Sequence, residues 1–421
     1  MAGEWMESAL GDVIELKRGY DLPQQQRRSG HVPIVSSSGI TDYHAEAIVK
    51  GPGVVTGRYG TLGQVFYITE DFWPLNTTLY VRDFKGNDPR FISYFLRSLD
   101  FLAYSDKAAV PGLNRNHLHT ARVRFPTDVA EQRAIAHILG TLDDKIELNQ
   151  RMNETLEAMA RAIFQSWFVD FDPVHAKAEG RDPGLPKEIA DLFPDRFEDS
   201  ELGDIPAGWS IKTIEDVAER VAMGPFGSSI KVETFVPEGV PIISGQHLHG
   251  FILEDSTFNF ITHEHASRLS NAAVQRGDVV FTHAGNIGQA AFIPKTSRYE
   301  RYVISQRQFY MRCDLSQVNP TFIALYFNSP EGRHLLLANT SSSGVPSIAR
   351  PVTYLRSIQI PVPSKSVLDA FERLVRPLLH QYSQNLDVNR TLAALHDTLL
   401  PKLISGDLRV KDAERVTGGG V

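Results

Sequence analysis

One uninterrupted apolar stripe constrains this chain more than any other feature of its sequence. Between Val129 and Phe168 apolar side chains recur every three or four residues, and Gly140 is the only glycine in a stretch without proline. This spacing is typical of one face of a helix. The apolar positions are Ile135, Ile138, Leu139, Leu142, Ile146, Met152, Leu156, Met159, Ile163 and Trp167. A helix of about 40 residues is roughly 60 Å long and needs a partner to cover that face.

A second stretch, from about Ser366 to Ser405, repeats the rhythm. Its apolar positions are Leu368, Phe371, Val375, Leu378, Leu379, Tyr382, Leu386, Leu392, Leu395, Leu399 and Leu403. A connector of roughly 35 residues between the first helix and the next folded segment is long enough for the second helix to return antiparallel to the first. We therefore predict an antiparallel coiled coil.

The sequence that precedes each of these helices repeats as well. VPIVSSSGI from Val32 matches VPIISGQHL from Val240, and GVVTGRYGTLGQVFYI matches GDVVFTHAGNIGQAAFI, with Gly60 and Gly63 at the positions of Gly285 and Gly288. FISYFLRS from Phe91 matches FIALYFNS from Phe322, and VPGLNRNHLHTARVRFP from Val110 matches VPSIARPVTYLRSIQIP from Val345. Short Val, Ile, Tyr and Phe runs broken by Gly, Pro and Asn predict strands in both copies. Pro89 to Tyr104 reads as a proline-initiated helix.

The predicted fold class is mixed α+β. A β-rich domain followed by a long helix occurs twice, with pseudo-twofold symmetry. The predicted segments are domain 1 at 1–126, long helix 1 at 127–169, an acidic connector at 170–208, domain 2 at 209–363, long helix 2 at 364–406, and a C-terminal tail at 407–421.

The asparagines of the two helices lie near the middle of each. Antiparallel pairing would bring them to one level, where a buried polar layer fixes the register of a coiled coil. A solvent-facing position is the alternative. They are Asn149 and Asn153 in the first helix, and Asn385 and Asn389 in the second.

The net charge of −7 argues at first against a nucleic-acid ligand. However, the segment from Asp170 to Asp204 holds eleven acidic and four basic residues, so the rest of the chain is neutral. The acidity belongs to the connector and does not exclude DNA.

The remaining totals suit a reducing, aqueous compartment. The single cysteine, Cys313, excludes an internal disulfide and a cysteine-based metal cage. The N-terminus MAGEWMESAL lacks the basic start and apolar core of a signal peptide. No apolar run approaches the ~18 residues of a membrane span. We expect a cytoplasmic protein without membrane contact.

With these features together, the chain resembles the DNA-specificity subunit of Type I restriction–modification systems. The resemblance rests on the tandem domains, on the helix text EQRAIAHILGTLDDKIELNQRMNETLEAMARAIFQSWFVDFDPV, on the connector GRDPGLPKEIADLFPDRFEDSELGDIPAGW and on LHDTLLPKLISGDLRV. It covers nearly all of residues 5 to 410. The resemblance implies two target-recognition domains, each reading one half of a split site on double-stranded DNA, with the helices as a spacer.

The resemblance also implies partners and no catalysis by the chain itself. Methyltransferase subunits, two by the number of docking faces, would carry S-adenosylmethionine. Restriction and translocase subunits would carry ATP and Mg²⁺, so no cofactor is expected on this chain.

The sequence motifs nearest to known catalytic motifs are incomplete, which also favours a chain without catalysis. GPFGSSIK at Gly224 lacks the lysine and hydroxyl of a phosphate-binding loop. Asp172-Pro173-Val174 departs at two positions from the loop by which amino-methyltransferases hold a flipped base. A nuclease-like acid set can be drawn from Asp12, Glu15 and Lys17, but such triplets are common. The histidine pairs His117/His119, His247/His249 and His263/His265 each lack a third metal ligand nearby.

Polar loops at equivalent places in both copies are the candidate DNA readers. Arg, Asn, Gln, Ser and Thr read base edges, and basic side chains with glycine-rich backbone hold phosphates. In the first copy the candidates are Ser36, Ser37, Arg58, Tyr59, Asn76, Thr77, Thr78, Asn114, Arg115 and Asn116. In the second they are Ser244, Gln246, His247, His283, Asn286, Gln306, Arg307, Gln308, Ser347 and Arg350.

Ordinary turn chemistry is the alternative for any single one of these residues. The set as a whole favours reading, because equivalent loops keep their frame and change their polar residues. Arg58-Tyr59 becomes His283-Ala284, and Asn76-Thr77 becomes Gln306-Arg307. We expect an asymmetric bipartite target, its half-sites centred about one helical turn (~34 Å) apart.

Two alternative functions remain open from the sequence alone. One is an autonomous nuclease or methyltransferase with an unrecognised site, and the other is a helical scaffold that binds no DNA. The aromatic residues around the end of the first helix, Trp167, Phe168, Phe171, Phe193 and Phe197, are expected in a core or a subunit interface; base stacking is the alternative.

Overall fold

A computed structural model describes residues 5–59, 62–104, 112–225, 227, 229–255, 257–341 and 344–417. The chain divides into two compact units. Unit 1 comprises Met1–Gln150 and Leu386–Val421, and unit 2 comprises Arg151–Asn385. Both long helices therefore contribute residues to each unit.

Unit 1 is built on antiparallel strands. A four-stranded sheet has the order Glu15–Arg18, Thr78–Asp83, Gly53–Gly57, Val65–Ile68. A three-stranded sheet has the order Gly39–His44, Val32–Ser36, Trp73–Pro74, and a two-stranded ladder pairs Trp5–Ala9 with Arg122–Pro126. The last strand of the small sheet runs parallel to its neighbour.

Unit 2 repeats this plan with one added strand and two added ladders. Its first four-stranded sheet has the order Ala218–Met223, Gln308–Cys313, Asp278–Thr282, Ala290–Phe292. Its second has the order Asn259–Ile261, Val240–Ile243, Arg301–Ile304, Ala273–Gln275. Three ladders pair Ser210–Thr213 with Gln359–Val362, Phe197–Glu198 with Ile205–Pro206, and Thr340–Ser341 with Ser347–Ile348. The predicted repeat is confirmed, and the added strand Ala273–Gln275 lies in the part of unit 2 between the matched segments that begin at Val240 and Gly277.

The helices surround these sheets. Unit 1 holds Leu10–Val13, Pro89–Arg97, Arg115–His119 and Val410–Thr417, with 3₁₀ turns at Gln24–Gln26 and Phe101–Tyr104. Unit 2 holds Asp172–Ala178, Lys187–Ala190, His263–Arg268, Pro320–Asn328, Pro330–Leu337 and Pro351–Ser357. Its 3₁₀ turns are Glu215–Val217, Val232–Thr234, Gly245–His247 and Ser270–Ala272. The long helices span Val129–Phe168 and Lys365–Ser405.

The two long helices pair antiparallel within each unit. In unit 1, Asn149 bonds to Asn389, while Asp143 lies 3.7 Å from the ring of His396. In unit 2, Asn153 bonds to Asn385. As residue numbers rise along one helix they fall along the other, as the predicted antiparallel coiled coil requires. The predicted packing of the helices is confirmed.

The single glycine of the first long helix allows a close contact. A Cβ atom at Gly140 would overlap the guanidinium of Arg90, which donates a hydrogen bond to the Gly140 carbonyl. The short helix Pro89–Arg97 can therefore lie directly on the long helix.

One predicted helix ends earlier than expected, and two further segments contain elements that the sequence did not indicate. The helix expected to reach Tyr104 ends at Arg97, because Asp100 accepts a hydrogen bond from the Leu102 amide and begins a separate turn. The connector holds two short helices and a β ladder. The predicted tail includes the helix Val410–Thr417, whose Ala413 is buried in the core of unit 1.

The aromatic cluster of the first helix and connector lies in the core of unit 2. Trp167, Phe168 and Phe193 are buried, and their rings meet Phe371 of the second long helix or each other at 5.0–6.1 Å. Phe171 and Phe197 are half-buried at its margin. Their burial explains the aromatic content of this region without base stacking.

Candidate nucleic-acid interface

Four loops of unit 1 are joined by backbone hydrogen bonds at one end of its sheets. The Arg58 amide donates to the Thr77 carbonyl at 2.9 Å, and the Leu113 amide donates to the Arg58 carbonyl at 3.0 Å. The Leu75 amide donates to the Val35 carbonyl at 2.8 Å, which adds the hairpin that follows Val35. The sequence-predicted loops of the first copy therefore form one surface, which we name loop face 1.

Unit 2 repeats the same three bonds at equivalent positions. The His283 amide donates to Arg307 at 2.9 Å, the Ile348 amide donates to His283 at 2.8 Å, and the Ser305 amide donates to Ile243 at 2.9 Å. This surface is loop face 2. The two faces thus share one backbone frame although their side chains differ.

Some predicted readers of loop face 1 point outward. Tyr59, Arg115 and Asn116 are exposed, and the Arg58 guanidinium lies 4.7 Å from the centre of the Tyr59 ring. This contact holds a planar cation and an aromatic ring side by side, both of which suit contacts to bases or phosphates. The neighbouring Gly60 lies outside the described residues.

Other predicted readers of this face support the fold. Ser36 bonds within the hairpin turn, Asn114 caps the helix Arg115–His119, and the buried Thr78 hydroxyl donates to the Leu75 carbonyl. Two more candidates are half-buried. They are Ser37, in the hairpin turn, and Thr77, whose hydroxyl is buried.

Asn76 brings in a residue that the sequence analysis did not name. Its side-chain amide donates to the Asp21 carboxylate, and the backbone carbonyl of Asn76 accepts from the exposed Arg18 guanidinium at 3.4 Å. Arg18 thereby adds a positive charge to loop face 1. The sequence repeat did not indicate Arg18. The Gly19 amide donates to the Thr78 carbonyl and the Gly224 amide donates to the Gln308 carbonyl, so Met223 is the residue of unit 2 equivalent to Arg18, and it carries no charge.

Loop face 2 exposes a different set of polar side chains. Gln306 and Arg307 are exposed at one turn, Asn286 and Gln246 at two others, and Arg350 precedes the helix Pro351–Ser357. Arg350 adopts a left-handed backbone conformation with φ of 47°. The face therefore carries amides and guanidiniums, the groups that read adenine and guanine edges.

The other predicted readers of unit 2 are packed. Ser347 lies half-buried in a short ladder beside Ala284, and Gln308 is buried. His283 is half-buried and its ring bonds to the Gln306 carbonyl at 3.1 Å, so it braces the Gln306–Arg307 turn. Burial lowers the pKa of His283.

His247 holds the loop that begins at Ser244. Its Nδ1 accepts the Ser244 amide at 3.0 Å, and its ring stacks on Phe258 with centroids 4.4 Å apart. Burial lowers the pKa of His247 below the usual range. A neutral ring is therefore part of the folded loop.

We expect acid to destabilise the protein through His247. An unfolded histidine binds a proton near pH ~6.5, whereas the folded one resists it. Its contribution is full above that pH and is lost as the pH falls through the lowered value. Urea unfolding should show that His247→Asn loses less stability than wild type between pH 7.5 and 5.5. The exposed His263→Asn is the control, and an equal pH slope in both variants would contradict the assignment.

The four asparagines form hydrogen-bonded rungs between the long helices. In unit 1, Asn149 donates to Asn389 at 2.8 Å. In unit 2, Asn385 donates to Asn153 at 2.8 Å, and Asn153 donates to the Tyr382 carbonyl at 3.2 Å. Asn149, Asn153 and Asn385 are buried and Asn389 is half-buried. Their role in fixing the register stays a prediction.

A double-mutant cycle tests that role. Asn153→Leu leaves the buried Asn385 amide unpaired and should cost about 1–3 kcal/mol of unfolding free energy. Replacing both with leucine should recover most of this loss, because neither polar group is then stranded. Urea unfolding of the four proteins gives the coupling energy. Strictly additive losses would mean that the two side chains do not act as a pair.

The residues considered for catalysis or metal binding have structural partners. Glu15 lies 3.2 Å from Arg82, Lys17 bonds to the Tyr20 hydroxyl at 3.1 Å, and His119 accepts the Leu16 amide at 2.9 Å. Within the described ranges, no group of three or more His, Cys, Asp or Glu side chains is placed to hold a metal ion. None of the described helices is both long and apolar enough to span a bilayer.

The chain is similar in sequence and in fold to known proteins. Residues 2–158 match the family model of the Type I restriction modification DNA specificity domain. The chain is 23% identical to the Type I restriction enzyme HindI specificity subunit of Haemophilus influenzae, over 96% of this chain and 100% of that one. It is 22% identical to the MjaIX specificity subunit of Methanocaldococcus jannaschii, over 97% and 94%. The crystal structure of a Type-I restriction-modification system S subunit from M. genitalium has a similar fold, with a TM-score of 0.59, 15% identity and 96% coverage of both chains.

Proposed function

We propose that this chain directs a Type I restriction–modification complex to a split DNA site and catalyses no reaction itself, a proposal supported by the match of residues 2–158 to the Type I restriction modification DNA specificity domain. One observation carries the proposal: loop faces 1 and 2 share a backbone frame and present different side chains. The shared frame gives both units the same way of approaching a duplex. The different side chains give each unit its own half-site.

The chemistry of the two faces supports an asymmetric target. Loop face 1 offers Arg58 beside Tyr59, whereas loop face 2 has His283 and Ala284 at those positions and offers Gln306 and Arg307 at the next turn. Guanidinium groups favour guanine and amides favour adenine, while exposed cations also hold phosphates. Two unlike faces therefore read two unlike half-sites separated by bases that neither touches.

The paired long helices set the length of that unread gap in this proposal, because each is continuous through both units. The complex holds two methyltransferase subunits that bind S-adenosylmethionine and restriction subunits that use ATP and Mg²⁺, and it works in the cytoplasm. The specificity chain contributes sequence reading and assembly.

The test is to express the chain with its methyltransferase subunit in a host without DNA methylation and to map modified bases by single-molecule sequencing. A split motif that appears only when both chains are present is the expected result. Exchanging residues 1–125 for those of another specificity chain should change one half-site only. A change in both half-sites would contradict modular reading.

The rival readings give different results. An autonomous enzyme would modify or cut DNA as the lone purified chain and lose activity on mutation of one carboxylate. A scaffold would assemble with proteins, and its complex would show no steep fall in DNA affinity as salt rises, unlike a protein that neutralises phosphates.

A further inference from the structure

A chain of buried polar groups lies behind loop face 2. The Ser305 hydroxyl donates to the Gln308 side-chain carbonyl, the Gln308 amide donates to the Thr282 hydroxyl at 3.4 Å, and Thr282 donates to Oε1 of Gln289 at 3.0 Å. Gln308 and Thr282 are 1% and 2% exposed. The network therefore starts in one loop, passes between the ends of two adjacent strands and ends on the half-buried side chain of Gln289.

Gln289, the last residue of this network, lies next to the loop that begins at Ser244. A Cβ atom at Gly245 would stand 3.2 Å from Oε1 of Gln289 and 3.7 Å from Nε2 of Gln308, so the loop that begins at Ser244 passes directly over the network. The Thr282 amide also donates to the Gln289 carbonyl at 3.1 Å. Gln289 is thus held by its backbone and its side chain where three loops meet.

Unit 1 makes the same turn without such a network. There the Gly57 amide donates to the Gln64 carbonyl at 3.3 Å, which is the equivalent of the Thr282–Gln289 bond. Gly57 has no hydroxyl to hold the exposed Gln64 side chain, and Leu75 stands where unit 2 has Ser305. The turn therefore does not need the polar chain for its own geometry. The anchoring of the Gln289 side chain is therefore assigned to the function of unit 2 and not to the folding of this turn.

We infer that Gln289 is a specificity-determining residue of unit 2, which donates a hydrogen bond from its amide to an acceptor on a base edge in the major groove. Its Nε2 group has no hydrogen-bond partner within the part of the chain that the structure describes. Thr282 and Gln308 are positioning residues, because they fix the Gln289 amide before DNA binds. Glutamine pairs best with adenine, whose N7 accepts and whose N6 donates. This inference rests on the proposed function and assigns one reader within it.

The test compares base preferences of complexes that contain the full chain. Gln289→Glu keeps the acceptor for Thr282 and removes the donor, so modification should lose about tenfold or more of its discrimination at one position of one half-site. Gln289→Met, which has no donor or acceptor of this kind, should do the same if the glutamate variant is inactive. The readout is the methylated fraction of sites that carry each of the four bases at each position.

Matched variants separate positioning from folding and from charge. Thr282→Val removes the buried hydroxyl and should relax the same position, while Thr282→Ser should restore it. Gln275→Glu adds the same charge to an exposed strand end in unit 2 and should leave every preference unchanged. A lone structural role would lower the yield of complex without changing base preference.

The outcomes distinguish this inference from the proposed function. If the wild-type complex modifies a split motif but the Gln289 variants keep every preference, the inference fails and the proposed function stands. If the wild-type complex yields no split motif, the proposed function itself fails, and this inference with it.

Discussion

Inserting three heptads into each long helix should lengthen the unread gap of the target by about nine or ten base pairs and leave both half-sites intact. The insertions lie between Asn149 and Asn153 in the first helix and between Asn385 and Asn389 in the second. Each unit then keeps its own asparagine rung. Twenty-one residues add about 32 Å of helix, which is close to one turn of DNA at about 34 Å. A strict heptad insert also keeps the apolar face in phase.

The rotation of the DNA provides the control. One heptad in each helix adds about 10 Å, roughly a third of a DNA turn, so the displaced face would no longer meet the groove. We expect weak modification at any gap length for that protein and recovery with three heptads. The measurement is the mapping of modified sites for the wild type, the one-heptad variant and the three-heptad variant. An unchanged gap in the three-heptad variant would show that the helices do not set the spacing between half-sites.

Removal of Arg312 should have the largest effect on stability. The guanidinium makes two hydrogen bonds of 2.7 Å to Asp278, whose carboxylate is 1% exposed and also accepts the Gln275 amide at 2.9 Å. Arg312→Ala leaves that charge buried without its counter-ion, which should cost about 3–5 kcal/mol of unfolding free energy in urea. The exposed Arg220 is the control, and Arg220→Ala should cost under about 1 kcal/mol.

The loss should depend on pH in a defined direction. Burial raises the pKa of Asp278, while the hydrogen bond from Arg312 opposes that rise. In Arg312→Ala the pKa should rise further, so the folded state binds a proton more readily than the unfolded state. The deficit relative to wild type should therefore shrink between pH 7.5 and pH 5. A deficit that is constant or grows on acidification would point to lost packing. With Asp278→Asn as the reference, adding Arg312→Ala should cost an amount of stability that does not depend on pH through this site.

The candidate reading surfaces were only partly accessible from the sequence. The repeat aligned Arg58 with His283 and Thr77 with Arg307, and the equivalent hydrogen bonds of the two units agree with that alignment. It did not separate outward from inward side chains. Gln306 and Arg307 lie in a turn and are exposed, whereas Gln308 begins a strand and points into the core, because successive strand side chains face opposite sides.

The sequence alone predicted the features that depend on a local hydrophobic period or on the internal repeat. The first long helix spans Val129–Phe168, as its apolar spacing predicts, since a regular spacing without proline leaves few alternatives. The tertiary structure alone decided which polar groups serve the fold and which remain for a ligand. Ser305 lies in one loop, whereas Thr282 ends a strand and Gln289 lies in the loop that follows it, and only the folded sheet brings them into one hydrogen-bonded network. The bond between Gln308 and Thr282 joins residues of two strands that are 26 positions apart in the sequence, and no local pattern predicts it.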